Sequence, residues 1–517
     1  MSALPVLIRA LFVVLFSCLS VVAERDQFIF SQGQDTKQRV AIIGAGITGA
    51  TAAFRLHEYT RLSEDLDITI YEKGPEVGGR IKTIVPPEDK RKLIEVGASR
   101  FFQDDWCLQD LLRDVGLNTD AYSTAFSRPR TFGVWDGQSI NKSESCDVES
   151  LSWQQLLRLI LGGHFSAWNY RKLLLSTVEK WKKFARDYRM DDIMEGIQQV
   201  GLGDGDIEPA PYFLGNASIS EQYQAEFVQP CVRSRYFQDV GEVRGLASLF
   251  STRDSKSVSV NGGNIHLVRR LISLSRADLR LNSTVTSISP GKYRRYHIDL
   301  TPHRNLNTED LEHEFDFVII AMPLQEDDMK FLDPLAFDKD ALYLSSQSEF
   351  VSAHVTHFTS LYPLSRKFFN LSKVTPLPDE ILTSSDNNIS SLIKVSQTQI
   401  WNTGLCDPRD DDCGNCAEEH LTRVISKDAL EDSTIVAMLG RKYNESRAMR
   451  ENGVPWIHRH SWTQAFPRYK KHFKFPTKIE IAPRLYYLNS IEHVVSSMET
   501  GCRMAERATA NLFYDTY

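Results

Sequence analysis

Arg39-Val40-Ala41-Ile42-Ile43-Gly44-Ala45-Gly46-Ile47-Thr48-Gly49-Ala50-Thr51-Ala52-Ala53 reads as an apolar strand running into spaced glycines and then into small helix formers. Gly44 lets the strand turn sharply, Gly46 lets backbone approach a pyrophosphate, and Gly49 lets the next helix pack close to the sheet, so that phosphates meet a helix N-terminus. The spacing alone is a weak signal, and the flanks supply the rest. Ile68-Thr69-Ile70-Tyr71 reads as the second strand, with Glu72 at its end, about twenty residues past the turn. A carboxylate there accepts hydrogen bonds from both hydroxyls of an adenosine ribose and disfavours a 2'-phosphate.

The residues that follow separate nicotinamide from flavin. Gly74-Pro75-Glu76-Val77-Gly78-Gly79-Arg80-Ile81-Lys82-Thr83 resembles the double-glycine motif of the FAD-dependent amine oxidase superfamily, and Glu95-Val96-Gly97-Ala98-Ser99-Arg100-Phe101 resembles its next flavin-side segment. The resemblance implies FAD, with Gly79 bringing backbone N–H to the pyrophosphate and Arg80 alongside the cofactor. The chemistry agrees, since phosphate is well met by donors without side-chain bulk plus one fixed cation. The fold it implies is α/β: a Rossmann-like FAD-binding domain with a discontinuous α+β substrate-binding domain. The FAD-binding parts are expected at 36–135, 246–330 and 471–517, and the substrate parts at 136–245 and 331–470.

Residues 1–23 have the form of a secretory signal: Arg9, an apolar run from Ala10 to Val22, and small residues at Val21 and Ala23 before a cut. The run is short for a membrane span, although an uncleaved anchor is an alternative. Six Asn-x-Ser/Thr sequons, at Asn141, Asn216, Asn282, Asn370, Asn388 and Asn444, favour passage through the secretory pathway and predict surface loops. A lysosomal, vacuolar or extracellular glycoprotein is expected, with no transmembrane span after cleavage.

The 517 residues are 42% hydrophobic and 25% charged, an ordinary globular composition large enough for more than one packed unit. A net charge of −7 offers no basic field for nucleic acid. Beyond the leader lie seven cysteines: Cys107, Cys146, Cys231, Cys406, Cys413, Cys416 and Cys502. For the acidic loop carrying Cys406, Cys413 and Cys416, zinc needs a fourth ligand and a CxxC redox centre lacks its βαβ context, so a local disulfide is the preferred reading. No metal site is expected.

From about residue 150 the pattern becomes helical, with Leu174, Val178, Trp181, Ala185 and Tyr188 at three- and four-residue spacing. Val260-Asn261-Gly262-Gly263-Asn264 precedes a further amphipathic helix, and Leu279 to Ile288 reads as one strand. This unit resembles the segment in which flavin amine oxidases set a valine backbone against the adenine, here Val285. A charged β-meander leads to the buried strand within Phe315 to Leu324. Ser352 to Phe358 alternates as a strand that puts His354 and His357 on opposite faces, which argues against metal binding by that pair. His458 and His460 share a strand face but lack acidic or cysteine company, and read as surface or satisfied residues.

The C-terminal part narrows the choice. Arg484-Leu485-Tyr486-Tyr487-Leu488-Asn489-Ser490-Ile491-Glu492, followed by Val495 to Gly501, resembles the prenylcysteine oxidase (prenylcysteine lyase) family. So do Pro230 to Gln238 against its P-x-x-R-x-N-Y-G-Q, Val260 to Leu267 against V-x-G-G-N-x-x-L, and Trp462 to Tyr469 against W-x-x-Y-P-x-Y. There are departures: Arg235 stands where asparagine is expected and Phe237 where glycine is.

That resemblance implies an FAD-dependent thioether oxidase cleaving farnesyl- or geranylgeranyl-cysteine, with O2 and water, to free cysteine, a prenyl aldehyde and hydrogen peroxide. The carbon between sulfur and the allylic double bond is activated from both sides and loses hydride without a strong base. A long apolar slot is required, each buried methylene contributing about 0.8 kcal/mol. Arg233 is the candidate partner for the substrate carboxylate, and Tyr236, Gln238 or Glu492 for ordering the attacking water. Glu499 joins Gly44, Gly46, Gly49, Glu72, Gly79, Arg80 and Val285 as expected cofactor contacts. The alternatives are a secreted amine or amino-acid oxidase, for which Tyr486 and Tyr487 are available as an aromatic cage, and a non-catalytic FAD-retaining binding protein.

Overall fold

In the computed structural model the opening stretch forms the strand Gln38–Ile43 and the helix Ile47–Thr60. The structure describes residues 37–60, 66–86, 93–120, 131–143, 146–162, 164–186, 192–203, 208–253, 257–291, 295–301, 312–325, 328–332, 348–371, 376–384, 391–401, 418–469 and 476–516. Val40, Ala41, Ile42 and Ile43 are all buried, which is why this strand is a continuous apolar run and not an alternating one. It lies in a six-stranded sheet in the order Asp278–Arg280, Leu66–Tyr71, Gln38–Ile43, Phe317–Ile320, Leu485–Tyr487, Glu480–Ala482. Phe317–Ile320 runs parallel to Gln38–Ile43 with Val40 opposite Phe317, and Leu485–Tyr487 is parallel in turn. The chain after Gln38–Ile43 continues to one side and returns much later on the other, so the C-terminal end of that strand is a topological switch point.

Two glycines of the turn are demanded by the protein itself. Gly44 has φ +109°, and a Cβ there would stand 2.9 Å from the Ala321 carbonyl oxygen. A Cβ on Gly49 would stand 2.0 Å from the Gly44 carbonyl oxygen, so only glycine lets the helix start beneath the strand. The helix Ile47–Thr60 then packs between Ile265–Ser275 and Met498–Thr516.

Beyond Asp278–Arg280 the structure departs from the single strand expected over 279–288. Asn282 takes φ +52° and breaks the run, and Val285–Pro290 begins a separate sheet with Tyr296–Leu300 and Glu312–Phe315. The Asn side chain tolerates the left-handed region, which makes it a natural breaker.

A seven-stranded sheet forms the second layer, in the order Trp456–Pro467, Phe350–Ser360, Glu418–Ser426, Leu392–Trp401, Glu380–Thr383, Phe132–Trp135, Ile140–Ser143. Phe132–Trp135 pairs in parallel with Glu380–Thr383, so the chain has already entered this sheet within the stretch expected to close the first FAD-binding part at 135. One face is an apolar core that includes Phe358, Ile381, Val395 and Val424. The other meets the short ladder of Thr83–Ile84 and Ile94–Glu95: Trp462 Nε1 donates to the Val96 carbonyl at 3.3 Å, and a Cβ on Gly97 would lie 2.8 Å from the Trp462 ring.

Helices between Trp153 and Phe250 complete the molecule, with Leu174, Val178 and Trp181 buried along Ser166–Arg186 as their spacing predicts. Disulfides join Cys107 to Cys502 and Cys146 to Cys231. Cys406, Cys413 and Cys416 lie outside the described residues.

Candidate cofactor crevice and active site

At the switch point three loops converge. Gly44 N donates to the Tyr71 carbonyl at 2.8 Å, Gly78 N to the Ala45 carbonyl at 2.9 Å, and Gly46 and Gly78 bridge in parallel. Gly46 differs from its neighbours: its backbone is not left-handed, and the nearest heavy atom to an added Cβ is 3.8 Å away. Neither packing nor backbone geometry calls for glycine there, which leaves the approach of a group from outside the chain as the reason.

Glu72 stands at the end of Leu66–Tyr71 and accepts from Ala45 N at 2.9 Å and Gly74 N at 2.8 Å. A carboxylate has about four acceptor positions, so two remain. Gly79, exposed and at φ +56°, lies against Gly46. Ser283 N donates to the Glu72 carbonyl at 2.9 Å, and Val285, two residues on, is buried in the core that includes Ala41, Ile43 and Tyr71. A helix N-terminus, bare backbone donors and a carboxylate are the donor set a dinucleotide needs.

A second constellation joins this crevice to the C-terminal segment. Arg80 pairs with Glu492 through both terminal nitrogens, Nη1 at 2.9 Å from Oε2, and Nη1 also donates to the Ala465 carbonyl at 3.3 Å. Burial works against the Arg80 charge and Glu492 more than compensates, so the guanidinium is held above its ordinary pKa. Asn489 Nδ2 donates to Glu492 Oε1 at 2.7 Å, and the Tyr469 hydroxyl donates to the Glu492 carbonyl at 3.1 Å. Gln238 takes the Tyr469 N–H on its side-chain oxygen at 3.1 Å and donates to the Pro467 carbonyl at 2.9 Å. The Tyr236 ring meets Phe466 and Tyr469 edge to face. Tyr236, Gln238, Glu492 and Arg80 are thus brought together through Tyr469.

The helix Gln229–Tyr236, which ends on Tyr236 and leads to Gln238, follows a π-helical turn at Gln224–Val228. Pro230 has no N–H to give the carbonyl four residues back, which is the local reason for the wider turn. The helix ends at Phe237 with φ 60°, the position where glycine was expected. The departure is accommodated by packing, since Phe237 stacks edge to face on Phe466 and joins Val96, Val355 and Trp462.

Arg233 and Glu499 stand apart from both constellations. Arg233 is 1% exposed, with Nη1 on Asp239 at 2.6 Å and Nε on the Thr383 hydroxyl at 3.2 Å, a pair that binds its helix to the second sheet. Glu499 accepts from Cys107 N and Leu108 N, each at 3.0 Å, and from Arg503 Nε at 3.2 Å. Its carboxylate therefore serves the N-terminus of Trp106–Asp114 rather than the glycine turn. Tyr486 and Tyr487 alternate on their strand, Tyr486 into the helical core and Tyr487 into the meander core, so the two do not form a cage together. Among the described residues there is no His, Cys, Asp or Glu grouping able to hold a metal ion.

Two contributors were not singled out from sequence. Glu95 is buried, accepting from Asn264 N at 2.7 Å and the Thr83 hydroxyl at 2.9 Å, and burial raises its pKa to about 7. Asn264 adds Nδ2 to the Ala98 carbonyl at 3.0 Å and accepts from Val260 N at 2.8 Å. The paired resemblance of Glu95–Phe101 and Val260–Leu267 to flavoenzyme segments was the available signal, because these segments lock onto each other.

The Rossmann-like sheet and the crevice at its switch point define a dinucleotide-binding protein, built on the α/β fold of the flavin amine oxidases. Solved structures of that fold include a putrescine oxidase (TM-score 0.57, 14% identity, covering 93% of this chain and 99% of that one) and cyclohexylamine oxidase from Brevibacterium oxydans (0.56, 15%, 93% and 99%). A profile for an NAD(P)-binding Rossmann-like domain matches residues 42–115. The chain belongs to the prenylcysteine lyase family, whose profile matches residues 147–517. It is 24% identical over 494 residues to farnesylcysteine lyase of Arabidopsis thaliana, covering 91% of this chain and 87% of that protein. It is 24% identical over 496 residues to human prenylcysteine oxidase 1, covering 91% and 88%.

Proposed function

We propose that the protein is an FAD-dependent thioether oxidase that converts a prenylcysteine, O2 and water to prenyl aldehyde, cysteine and hydrogen peroxide. The observation that carries this reading is the Arg80–Glu492 pair, which joins the dinucleotide-binding part of the chain to the segment that belongs to the prenylcysteine lyase family. In this reading Gly46 and Gly79 present backbone N–H groups to the pyrophosphate, and Gly44, whose own N–H is held by the Tyr71 carbonyl, shapes the turn that lets them do so. Glu72 takes the ribose hydroxyls on its two remaining acceptor positions, and the Val285 backbone faces the adenine. Arg80 has five N–H donors, of which Glu492 and Ala465 take three, leaving donors for phosphate.

Bound FAD would supply the hydride acceptor, which O2 then reoxidises. The chain's own part is orientation and exclusion of water. Tyr236 and Gln238 are each 1% exposed, and Gln238 is saturated by backbone partners, so they position Tyr469 and the loop carrying Glu492 rather than hold water. Glu492 acts by fixing Arg80. Two disulfides and exposed sequon asparagines at Asn216, Asn282, Asn370 and Asn444 support passage through an oxidising, glycosylating compartment.

The test is anaerobic mixing of the purified protein with farnesylcysteine while the visible band of oxidised flavin is followed. Bleaching, with peroxide on admission of air, is expected. A yellow protein that ignores farnesylcysteine but bleaches with a primary amine or amino acid would move the assignment to an amine oxidase. A colourless one would end both.

A further inference from the structure

The helix Trp153–Leu161 is apolar on two sides. Leu156 and Leu159 point into the core, while Trp153, Leu157 and Leu161 form a stripe at four-residue spacing that faces outward. Phe165 and Trp168, from the turn and the start of Ser166–Arg186, extend it. The Trp153 and Trp168 rings meet at 6.1 Å, nearly perpendicular, so the two helices present one surface. Exposure reaches 79% at Leu161, 72% at Phe165, 61% at Trp153 and 49% at Trp168. Contiguous apolar surface of this kind on a soluble fold marks an interaction site.

The charges on the patch's own segment are one-sided, with the carboxylates of Glu221 and Glu226 on the segment tied to it through Ser166 and His164. The chain carries 67 acidic residues, yet none falls between Ser150 and Val178, where Arg158, Arg171 and Lys172 lie with His164. Glu149, just outside, is held by Arg253 at 2.9 Å, and Glu226 lies against His164 at 3.7 Å. A second copy of the chain would set this patch against itself, bringing cation to cation with few carboxylates to answer. Indole rings at the rim, long apolar side chains and a surround of Arg and Lys suit the boundary of an anionic bilayer.

We propose that this surface docks the protein on anionic lipid membranes, with Leu161 and Phe165 inserted among the acyl chains and Arg158 and Lys172 over the headgroups. The inference stands apart from the choice of substrate, because it rests on the surface alone.

Flotation of the full chain with phosphatidylcholine vesicles containing about one part in three phosphatidylserine tests it. The protein is expected to float with these vesicles, and less with phosphatidylcholine alone or in high salt. Leu161→Gln with Phe165→Gln should weaken partitioning about tenfold to a hundredfold, and Arg158→Glu with Lys172→Glu should remove the preference for anionic lipid. Each substituted side chain is exposed, so thermal stability and flavin content should match the parent. No binding to either vesicle, or binding that the substitutions leave unchanged, would overturn the proposal. So would a concentration-dependent dimer that the Leu161 and Phe165 changes dissolve in the absence of lipid binding.

Discussion

Glu492 grips Arg80 with both carboxylate oxygens across 412 positions of sequence, and Asn489 and Tyr469 hold Glu492 in turn. Glu492 is buried, so removing the arginine leaves a charge without its partner. Arg80→Ala is expected to cost about 3 kcal/mol of stability, the lower end for a buried pair because the arginine side chain is 30% exposed. Glu492→Gln keeps one acceptor and should cost less, while still lowering flavin occupancy through a less firmly held Arg80. Flavin absorbance per protein together with the denaturant midpoint measures both. Equal flavin content in all three proteins would separate the pair from the cofactor.

Glu95 gives a pH dependence whose sign is fixed by its environment. Burial raises its folded pKa to about 7, above the ordinary carboxylate value of 4.5, against hydrogen bonds from Asn264 and Thr83 that lower it. Its contribution to stability is fully present below about pH 4.5 and is lost as pH rises through about 7, a range worth up to about 3 kcal/mol. Buried His493, driven down to about 3 by desolvation and Arg244, runs the other way and loses stability as pH falls from about 6.5. Glu95→Gln isolates the first effect. Its amide reproduces the protonated acid, accepting from Asn264 and donating to Thr83, so the variant should match the parent at pH 4.5 and melt several degrees higher at pH 8. Superimposable melting curves at both values would show that Glu95 ionises freely in the folded protein.

How far the sequence carried this reading depended on whether a residue's reason was local. Gly49 is required by the Gly44 carbonyl a turn earlier, and Gly44 by its own left-handed backbone as well as by Ala321 across the sheet, so the local part of both reasons made the turn legible. Val40 to Ile43 is buried on both faces, and its unbroken apolar run said so. Asn282 failed for the opposite reason: its left-handed backbone splits a stretch that reads as one strand. Glu499 and Arg233 were not legible in their partners, because a buried charge looks the same in sequence whether it faces a ligand or a helix end and an aspartate. Tyr469 became visible only in three dimensions, since its role comes from touching Gln238 and Glu492 at once.

Arg233 was expected to meet the substrate carboxylate, and its partners allow that expectation to be tested against a structural role. If the Asp239 pair is its whole purpose, Arg233→Ala and Asp239→Asn should lower stability comparably, on the order of 3 kcal/mol for the arginine, and leave the Michaelis constant for prenylcysteine unchanged in the folded fraction. A substrate contact would show as a raised Michaelis constant in Arg233→Ala that Asp239→Asn does not share. Kinetics at a temperature well below both midpoints decide between them.

Gly501 lies on Met498–Thr516 where that helix crosses Ile47–Thr60, and a Cβ there would come within 2.4 Å of the Thr48 hydroxyl oxygen. Thr48 is the second residue of the helix that begins under Gly46, so pressure at this crossing reaches the glycine turn directly. Gly501→Ala improves helix propensity by about 1 kcal/mol in isolation, yet overpacking of this kind costs about 1–3 kcal/mol. The net expectation is a mild loss of stability with a larger loss of flavin affinity, because the displaced element is the helix N-terminus that faces the phosphates. Thr48→Ala removes the clashing oxygen, and the double variant should recover both stability and flavin content. A double-mutant cycle read by thermal melting and flavin absorbance measures that coupling, and additive effects of the two changes would show that the crossing does not transmit to the turn.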